Sequence, residues 1–239
     1  MSDQVVSYQK RGTVGWITLD DGGPNTINQA VFDGFAAALD AAEADCVDAL
    51  VIAGREGFFS AGMDLKWMPT LSSEDLAEVA PNLCRLALRI FMFPRPVVAA
   101  CTGHAIAGGA ILLLSCDRSV GAEGDFKFGL NEVAIGLPFG GFALELAQAH
   151  LSPKANFGLL NGDLFDTETA LDVGFLDQLV PADQVMARAG EIAERVAELK
   201  PFAYTATKQS LRGPAAERIQ EALDSGYMSG LFALLMDQQ

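Results

Sequence analysis

The sequence predicts an α/β fold, with strand–strand–helix units in its first half and helices through its second. Three observations lead there. Residues 5–11 and 13–19 alternate apolar and polar side chains around Gly12, the pattern of a hairpin. Two short apolar runs, 49–53 and 96–102, are each followed by a glycine-bearing segment and then by a helical pattern. From Gly140 onward the pattern is mostly helical.

Taken in order, the hairpin gives way to a turn-rich loop, Asp20-Asp21-Gly22-Gly23-Pro24-Asn25. Asn28 is placed to cap a helix whose apolar face carries Val31, Phe32, Phe35, Ala38 and Leu39. The run 49–53 reads as a buried strand, and a loop over 59–65 follows it. Ser72 or Ser73 opens a helix that ends near Phe91. The run 96–102 is another buried strand, followed by Gly103 and an apolar helix. Short strands are expected over 118–120 and 126–128. Helices are expected over 141–149, 153–160, 167–173 and 182–199, with two further segments after Pro201.

Composition narrows the function. A chain of 239 residues, 50% hydrophobic and 20% charged, suits one globular unit with a large core. A net charge of −15 argues against nucleic acid as a partner, which needs a basic footprint. An anionic ligand would need a local basic pocket against that field. The longest apolar runs, such as 105–115, are too short to span a bilayer. The opening Met1-Ser2-Asp3-Gln4 has no signal-peptide character, and Cys46, Cys84, Cys101 and Cys116 show no paired spacing. Reduced thiols in a cytoplasmic protein are the expectation. With only two isolated histidines, His104 and His150, a zinc site or a Ser-His-Asp triad is disfavoured, and no metal is expected.

Glu132 carries the chemistry. It sits in Phe128-Gly129-Leu130-Asn131-Glu132, with Val133-Ala134-Ile135-Gly136-Leu137-Pro138 behind it. Burying a lone carboxylate in so apolar a run raises its pKa and makes it a better base near neutrality. Two glycine-bearing stretches upstream can offer backbone N–H donors to an oxyanion: Phe59-Ser60-Ala61-Gly62-Met63-Asp64-Leu65 and Gly103-His104-Ala105-Ile106-Ala107-Gly108-Gly109-Ala110. Two backbone donors and one base equip a site for proton abstraction beside a thioester carbonyl. Nearby residues have plainer readings. Asp64 suits an N-cap, Lys66 an exposed cation or a phosphate contact, and His104 a core histidine. Trp67, Met68, Phe139 and Phe142 suit core packing as well as an acyl pocket.

In these motifs the chain resembles the crotonase superfamily, the enoyl-CoA hydratase/isomerase fold. Five blocks carry the likeness in order: Gly23-Pro24-Asn25-Thr26-Ile27, the segment 59–65, Ala107-Gly108-Gly109-Ala110 with Ser115-Cys116-Asp117 behind it, the segment 128–132, and Asp172-Val173-Gly174-Phe175-Leu176-Asp177-Gln178-Leu179-Val180. The resemblance implies a spiral of ββα repeats over residues 1–185 and a C-terminal helical oligomerisation region over 186–239. A homotrimer or dimer of trimers follows, with an acyl-CoA substrate and no cofactor beyond the coenzyme A that the substrate carries. By the same resemblance Glu132 is the catalytic acid–base and the backbone N–H groups of Met63 and Gly108 form the oxyanion hole. Asn25, Ala61, Asp64, Leu65, Lys66, Ile111 and Phe139 are the implied substrate-binding set.

One departure selects among the family's reactions. Its hydratases use two glutamates to hold a water, and the position of the first, six residues before Asp117, is Ile111 here. Isoleucine cannot accept a hydrogen bond from water. A single carboxylate suits a proton shuttle from C2 to C4 of a 3-enoyl-CoA, and the Gly129-Leu130-Asn131-Glu132 segment with Pro138-Phe139 is similar to 3,2-trans-enoyl-CoA isomerases. An enoyl-CoA hydratase or another CoA-thioester enzyme of the superfamily is the alternative. A non-catalytic CoA-binding or trimeric scaffold protein is the reading from outside enzymology.

Overall fold

The computed structural model describes residues 4–138 and 140–230, the side chain of Tyr227 excepted. Strands β1 (Val6–Arg11) and β2 (Val14–Leu19) form the expected antiparallel hairpin about Gly12, with Val6 opposite Leu19. A two-residue strand β3 (Thr26–Ile27) precedes helix α1 (Gln29–Ala44), which Asn28 caps by accepting from the Val31 N–H. Strand β4 (Ala49–Ala53) leads to β5 (Gly57–Ser60) and β6 (Gly62–Met63), so the segment expected as one loop is two short strands joined at Ala61. Helix α2 (Ser73–Phe91) is capped by Ser72, and β7 (Val97–Cys101) follows. The chain then makes a strand the periodicity did not reveal, β8 (Gly103–Ile106), before helix α3 (Gly108–Ser115). After β9 (Arg118–Ala122) and β10 (Phe128–Gly129) come α4 (Gly141–His150), α5 (Asn156–Asn161), α6 (Thr167–Val173), strand β11 (Gln178–Val180), α7 (Val185–Ala197) and α8 (Pro201–Asp224).

Three sheets result. Six strands run in the order β1-β2-β4-β7-β9-β11, three in the order β10-β8-β5, and β3 pairs with β6. Among the described residues, all ladders between these strands except β1–β2 are parallel. Parallel strands are covered on both faces, which is why β4 and β7 read as unbroken apolar runs and are buried at every position. One face carries the main core, including Phe35, Phe91, Phe93, Phe128 and Phe175. The other is covered by α7 through Val185, Ala189, Ile192 and Ala193. The boundary expected at 185/186 therefore falls at the start of a helix that packs on the large sheet.

The two segments expected after Pro201 are the long helix α8, which runs through Pro214, and a 3-10 turn (Tyr227–Gly230). Proline inside a helix removes a hydrogen bond and is normally disruptive, but α8 is pinned to the core just before it, at Lys208 and Arg212. Lys208 and Arg212, both under 10% exposed, pair with Asp117: Lys208 Nζ to Oδ2 at 2.9 Å and Arg212 Nη1 to Oδ1 at 2.9 Å. Lys208 also donates to Phe93 O and Arg212 to Phe91 O and Cys116 O, and the guanidinium lies 4.2 Å from the Phe91 ring centre. Arg212 Nη2 is 3.1 Å from His150 Nε2. Arginine has no acceptor, so His150 accepts there and stays neutral, its pKa pushed down to about 4 by burial and by Arg212. Within the region expected to oligomerise, Met228 is buried in its own chain's core, while the apolar Leu231, Phe232, Leu234, Leu235 and Met236 lie outside the described residues.

Candidate active site

A cavity opens where the β6 end, the start of α3, the turn after β10, and helices α2 and α4 converge. Among the described residues its lining is apolar except at Asn131 and Glu132. Ala61, Met63, Leu65, Gly108, Ile111 and Glu132, from the set expected by sequence, all line it.

The two donor loops are brought together by parallel pairing and by glycine. In the β3–β6 ladder the Asp64 N–H donates to Ile27 O at 2.9 Å. Neighbouring N–H groups of a strand point to opposite sides, so the Met63 N–H turns away from β3. Gly108 is the first residue of α3, so its N–H is one of the helix's unpaired first-turn donors, at the positive end of the helix dipole. Gly62 has φ +89°, and a Cβ there would lie 2.8 Å from Ile106 O and 3.1 Å from Gly108 N. At Gly109 a Cβ would come within 2.1 Å of Ser60 O. The two loops can touch only because neither position carries a side chain. Between them Ala107 holds φ 49°, an unfavourable region for an L-residue that costs on the order of 1–3 kcal/mol. Its N–H donates to Gly129 O at 2.8 Å and its carbonyl accepts from Ile111 N at 3.0 Å, which fixes that conformation.

The Ala107–Gly129 bond also ties the donor loop to the segment that carries the carboxylate. Three residues after Gly129, Glu132 opens a 3-10 turn (Glu132–Ile135) that closes on left-handed Gly136 and packs against α5. Leu137 N–H donates to Glu132 O at 2.9 Å, which fixes the turn at its far end. The Glu132 side chain is half-buried as a residue, but its Oε2 is sealed and no described residue donates to it. Burial raises its pKa from 4.5 to about 7, offset in part by its own backbone N–H. That is the value a general base needs near neutral pH. Asn131 Oδ1 is sealed and undonated in the same way.

The remaining expected residues sit elsewhere. Asn25, expected against the substrate, is fully buried behind the first loop. Its Nδ2 donates to Leu19 O, Phe58 O and Phe59 O, and its Oδ1 accepts from Asp21 N. With every polar atom engaged it is a strut for the loop and not a ligand contact. Asp64 Oδ1 accepts from Lys66 N at 2.9 Å and Trp67 N at 3.2 Å, so it caps the turn after β6. Lys66 is exposed and outside the cavity lining. His104 lies between the rings of Phe58 and Phe126 and accepts from Lys127 N through Nδ1. Phe139 is outside the described residues. Phe142 lines the cavity, whereas Met68 is buried in the core away from it. Sequence reasoning missed Ala80 and Leu83 of α2, Ala143 of α4, and Asn131. The first three carried only amphipathic spacing, which core packing explains equally well. Asn131 stood in the motif, but an asparagine before a turn reads as a cap.

Comparison with known proteins places this geometry in context. The family model described as enoyl-CoA hydratase/isomerase matches residues 9–232. The chain is 31% identical over 227 residues to 2,3-dehydroadipyl-CoA hydratase of Escherichia coli K12, spanning 93% of this chain and 87% of that protein. Among solved structures it is similar to the enoyl-CoA hydratase EchA3 of Mycobacterium ulcerans, at 36% identity and TM-score 0.89, covering 94% of this chain and 99% of that one. It is similar also to human mitochondrial delta3-delta2-enoyl-CoA isomerase, at 25% identity and TM-score 0.85, covering 98% and 96%.

Proposed function

Given that this chain belongs to the enoyl-CoA hydratase/isomerase family and is one of its enzymes, we propose that it moves the double bond of a 3-enoyl-CoA to the 2-position by a single-carboxylate proton shuttle. The observation that carries this reading is the cavity lining. Among the described residues Glu132 is its only carboxylate, and Ile111, 3% exposed, lines the cavity at the position where the resemblance implies the hydratases' first glutamate. In the proposed reaction the Glu132 carboxylate takes a proton from C2, and the freed pair moves into a dienolate. The thioester oxygen accepts from the Met63 and Gly108 N–H groups, each worth on the order of 3 kcal/mol in the transition state. The same carboxyl returns its proton to C4. No water takes part, and the Ile111 wall beside Ala61 and Leu65 keeps the path apolar. Coenzyme A enters as part of the substrate, with no other cofactor or metal, and Lys66, exposed beside Leu65, is the proposed phosphate contact. A panel of 3-enoyl- and 2-enoyl-CoAs tests this. Conversion of 3-enoyl substrates faster than hydration of 2-enoyl ones is expected, and the reverse order would overturn the assignment.

Ile111→Glu is expected to raise hydration of crotonyl-CoA. The new carboxylate would lie across the cavity from Glu132, and two close carboxylates cannot both ionise cheaply, so one keeps a proton at neutral pH. That is the acid–base split water addition uses. Burying a charge at a position 3% exposed costs stability, so circular dichroism must first show a folded variant. A folded variant with no gain in 3-hydroxyacyl-CoA formation would mean that Ile111 does not set the reaction.

A cytoplasmic homotrimer or dimer of trimers is proposed. Phe157 and Leu160 of α5, each 74% exposed, lie on a helix that packs against the Glu132 turn, whose Val133 and Ile135 are exposed too. A patch of this kind is more than a monomer usually leaves uncovered. Light scattering at micromolar concentration is expected to give three or six times the 25.3 kDa chain mass, and a monomer would contradict it.

A further inference from the structure

Ser60 ends β5 in the first donor loop, is fully buried, and packs against the second loop. Its hydroxyl donates to Asn25 O at 2.7 Å and accepts from Gly62 N at 3.2 Å. Its backbone lies so close to the start of α3 that a Cβ at Gly109 would meet Ser60 O at 2.1 Å and Ser60 Cβ at 2.8 Å. A serine bonded to the N–H two residues on is a common local turn, and such a turn needs no distant partner. Here the hydroxyl's single hydrogen goes to a carbonyl 35 residues back, and that carbonyl is itself held in place. Asn25 has φ 56°, in the left-handed region that few side chains adopt. Its side-chain amide donates to Phe58 O and Phe59 O, and Asp21 Oδ1 accepts from its N–H at 2.9 Å. Clamped on both sides, Asn25 presents its carbonyl to Ser60 from a fixed place.

The consequence falls on Met63. The Gly62–Met63 peptide, which carries the donor N–H, is bracketed by two anchors. On one side Ser60 Oγ accepts from Gly62 N–H, and on the other Ile27 O accepts from Asp64 N–H at 2.9 Å. Ala61 N–H donates to Pro24 O at 3.0 Å, which ties the same loop to the turn before β3. Gly62, at φ +89°, has the widest choice of backbone angles of any residue here. Rotation at Gly62 would swing the Met63 N–H off its line, and the Ser60 hydroxyl opposes that rotation. We propose that Ser60 is a positioning residue: by holding Gly62 and abutting Gly109, it sets the spacing and aim of the Met63 and Gly108 N–H groups toward the thioester oxygen. This role rests on the acyl-CoA reading of the site and serves either reaction at the double bond. Ser60 does not line the cavity, and it neither gives nor takes a proton from the substrate. It acts through the loop.

The test uses the full-length protein, with a 3-enoyl-CoA and crotonyl-CoA for turnover. Butyryl-CoA, isotopically labelled at the thioester carbonyl, serves as a saturated probe that neither reaction consumes. Infrared difference spectra read its carbonyl stretch, which two aimed N–H donors move to lower wavenumber on binding. Ser60→Ala removes one oxygen and both of its bonds. It is expected to bind butyryl-CoA much as wild type does and to lose part of the carbonyl shift. Its kcat is expected to fall roughly 10- to 100-fold with KM little changed, the scale of a misplaced transition-state contact. Ser60→Cys keeps a weak donor and acceptor at the same place, so its kcat and its shift are expected to fall between those of wild type and Ser60→Ala. A full shift in folded Ser60→Ala overturns the proposal, whether or not kcat falls, because the donors are then still aimed. If Ser60→Ala does not fold, Ser60→Cys decides, and wild-type shift and kcat in that variant overturn the proposal. Wild type that binds butyryl-CoA with no shift removes the oxyanion reading of Met63 and Gly108 itself, and the role of Ser60 falls with it.

Discussion

Glu132→Gln is expected to lower turnover about 10²–10⁴-fold, the usual contribution of a positioned base, while leaving acyl-CoA binding close to that of wild type. Glutamine fills the same space, but its amide cannot accept the C2 proton. Wild-type kcat/KM is expected to fall on the acid side of a midpoint near pH 7, where the free carboxyl titrates because it is buried. The same burial makes a stability prediction of opposite sign. The folded carboxyl titrates at about 7 and an unperturbed one at 4.5, so between those values the folded state holds more protons than the unfolded. Stability therefore falls as pH rises through that window, and the loss is complete above it. Glu132→Gln removes the charge, so it should melt higher than wild type at pH 8 and show no such gain at pH 4. A variant that keeps more than a few per cent of wild-type turnover would exclude Glu132 as the base.

Asp117→Ala should produce the largest loss of stability. Asp117 is the carboxylate that pairs with both Lys208 and Arg212, and it also accepts from the Val97 N–H at 2.7 Å. Removing it leaves two buried cations with no counter-charge, facing backbone carbonyls and, for Arg212, the neutral His150 and the Phe91 ring, and breaking such a cluster costs about 3–5 kcal/mol. Burial already lowers the Lys208 pKa, and Asp117 is the chief influence that raises it, so without Asp117 the ammonium should shed its proton more readily. Chemical denaturation at fixed protein concentration measures the loss. The cluster is not part of the cavity lining, so catalysis per folded molecule gives an independent control. A change below about 1 kcal/mol would mean that the neutral partners left around Lys208 and Arg212 satisfy them without Asp117.

Position by position, the sequence told more about elements than about their joints. The hairpin, the Asn28 cap, the Ser72 cap and the buried strands β4 and β7 were all legible, because each rests on local periodicity or on a capping residue. Strand β8 was hidden in a stretch that reads as the approach to a helix. It is held by β5 on one side and β10 on the other, partners that lie about 45 and 25 residues away in the chain. The continuity of α8 through Pro214 was hidden too, since it depends on an ion cluster whose partner, Asp117, lies 91 residues before Lys208.

For the site the division is the same. The sequence by itself determined the family, the lone carboxylate at Glu132, the missing one at Ile111, and the two glycine-bearing stretches, since all of these are matters of residue type and order. Only the tertiary structure decided which atoms face one another. It set Gly62 against Gly108, turned Asn25 from an expected contact into a buried strut, and sealed the Asn131 and Glu132 oxygens in one apolar cavity. Burial and hydrogen-bond partnership are properties of packing between segments distant in the chain, and a local pattern of side chains does not contain them.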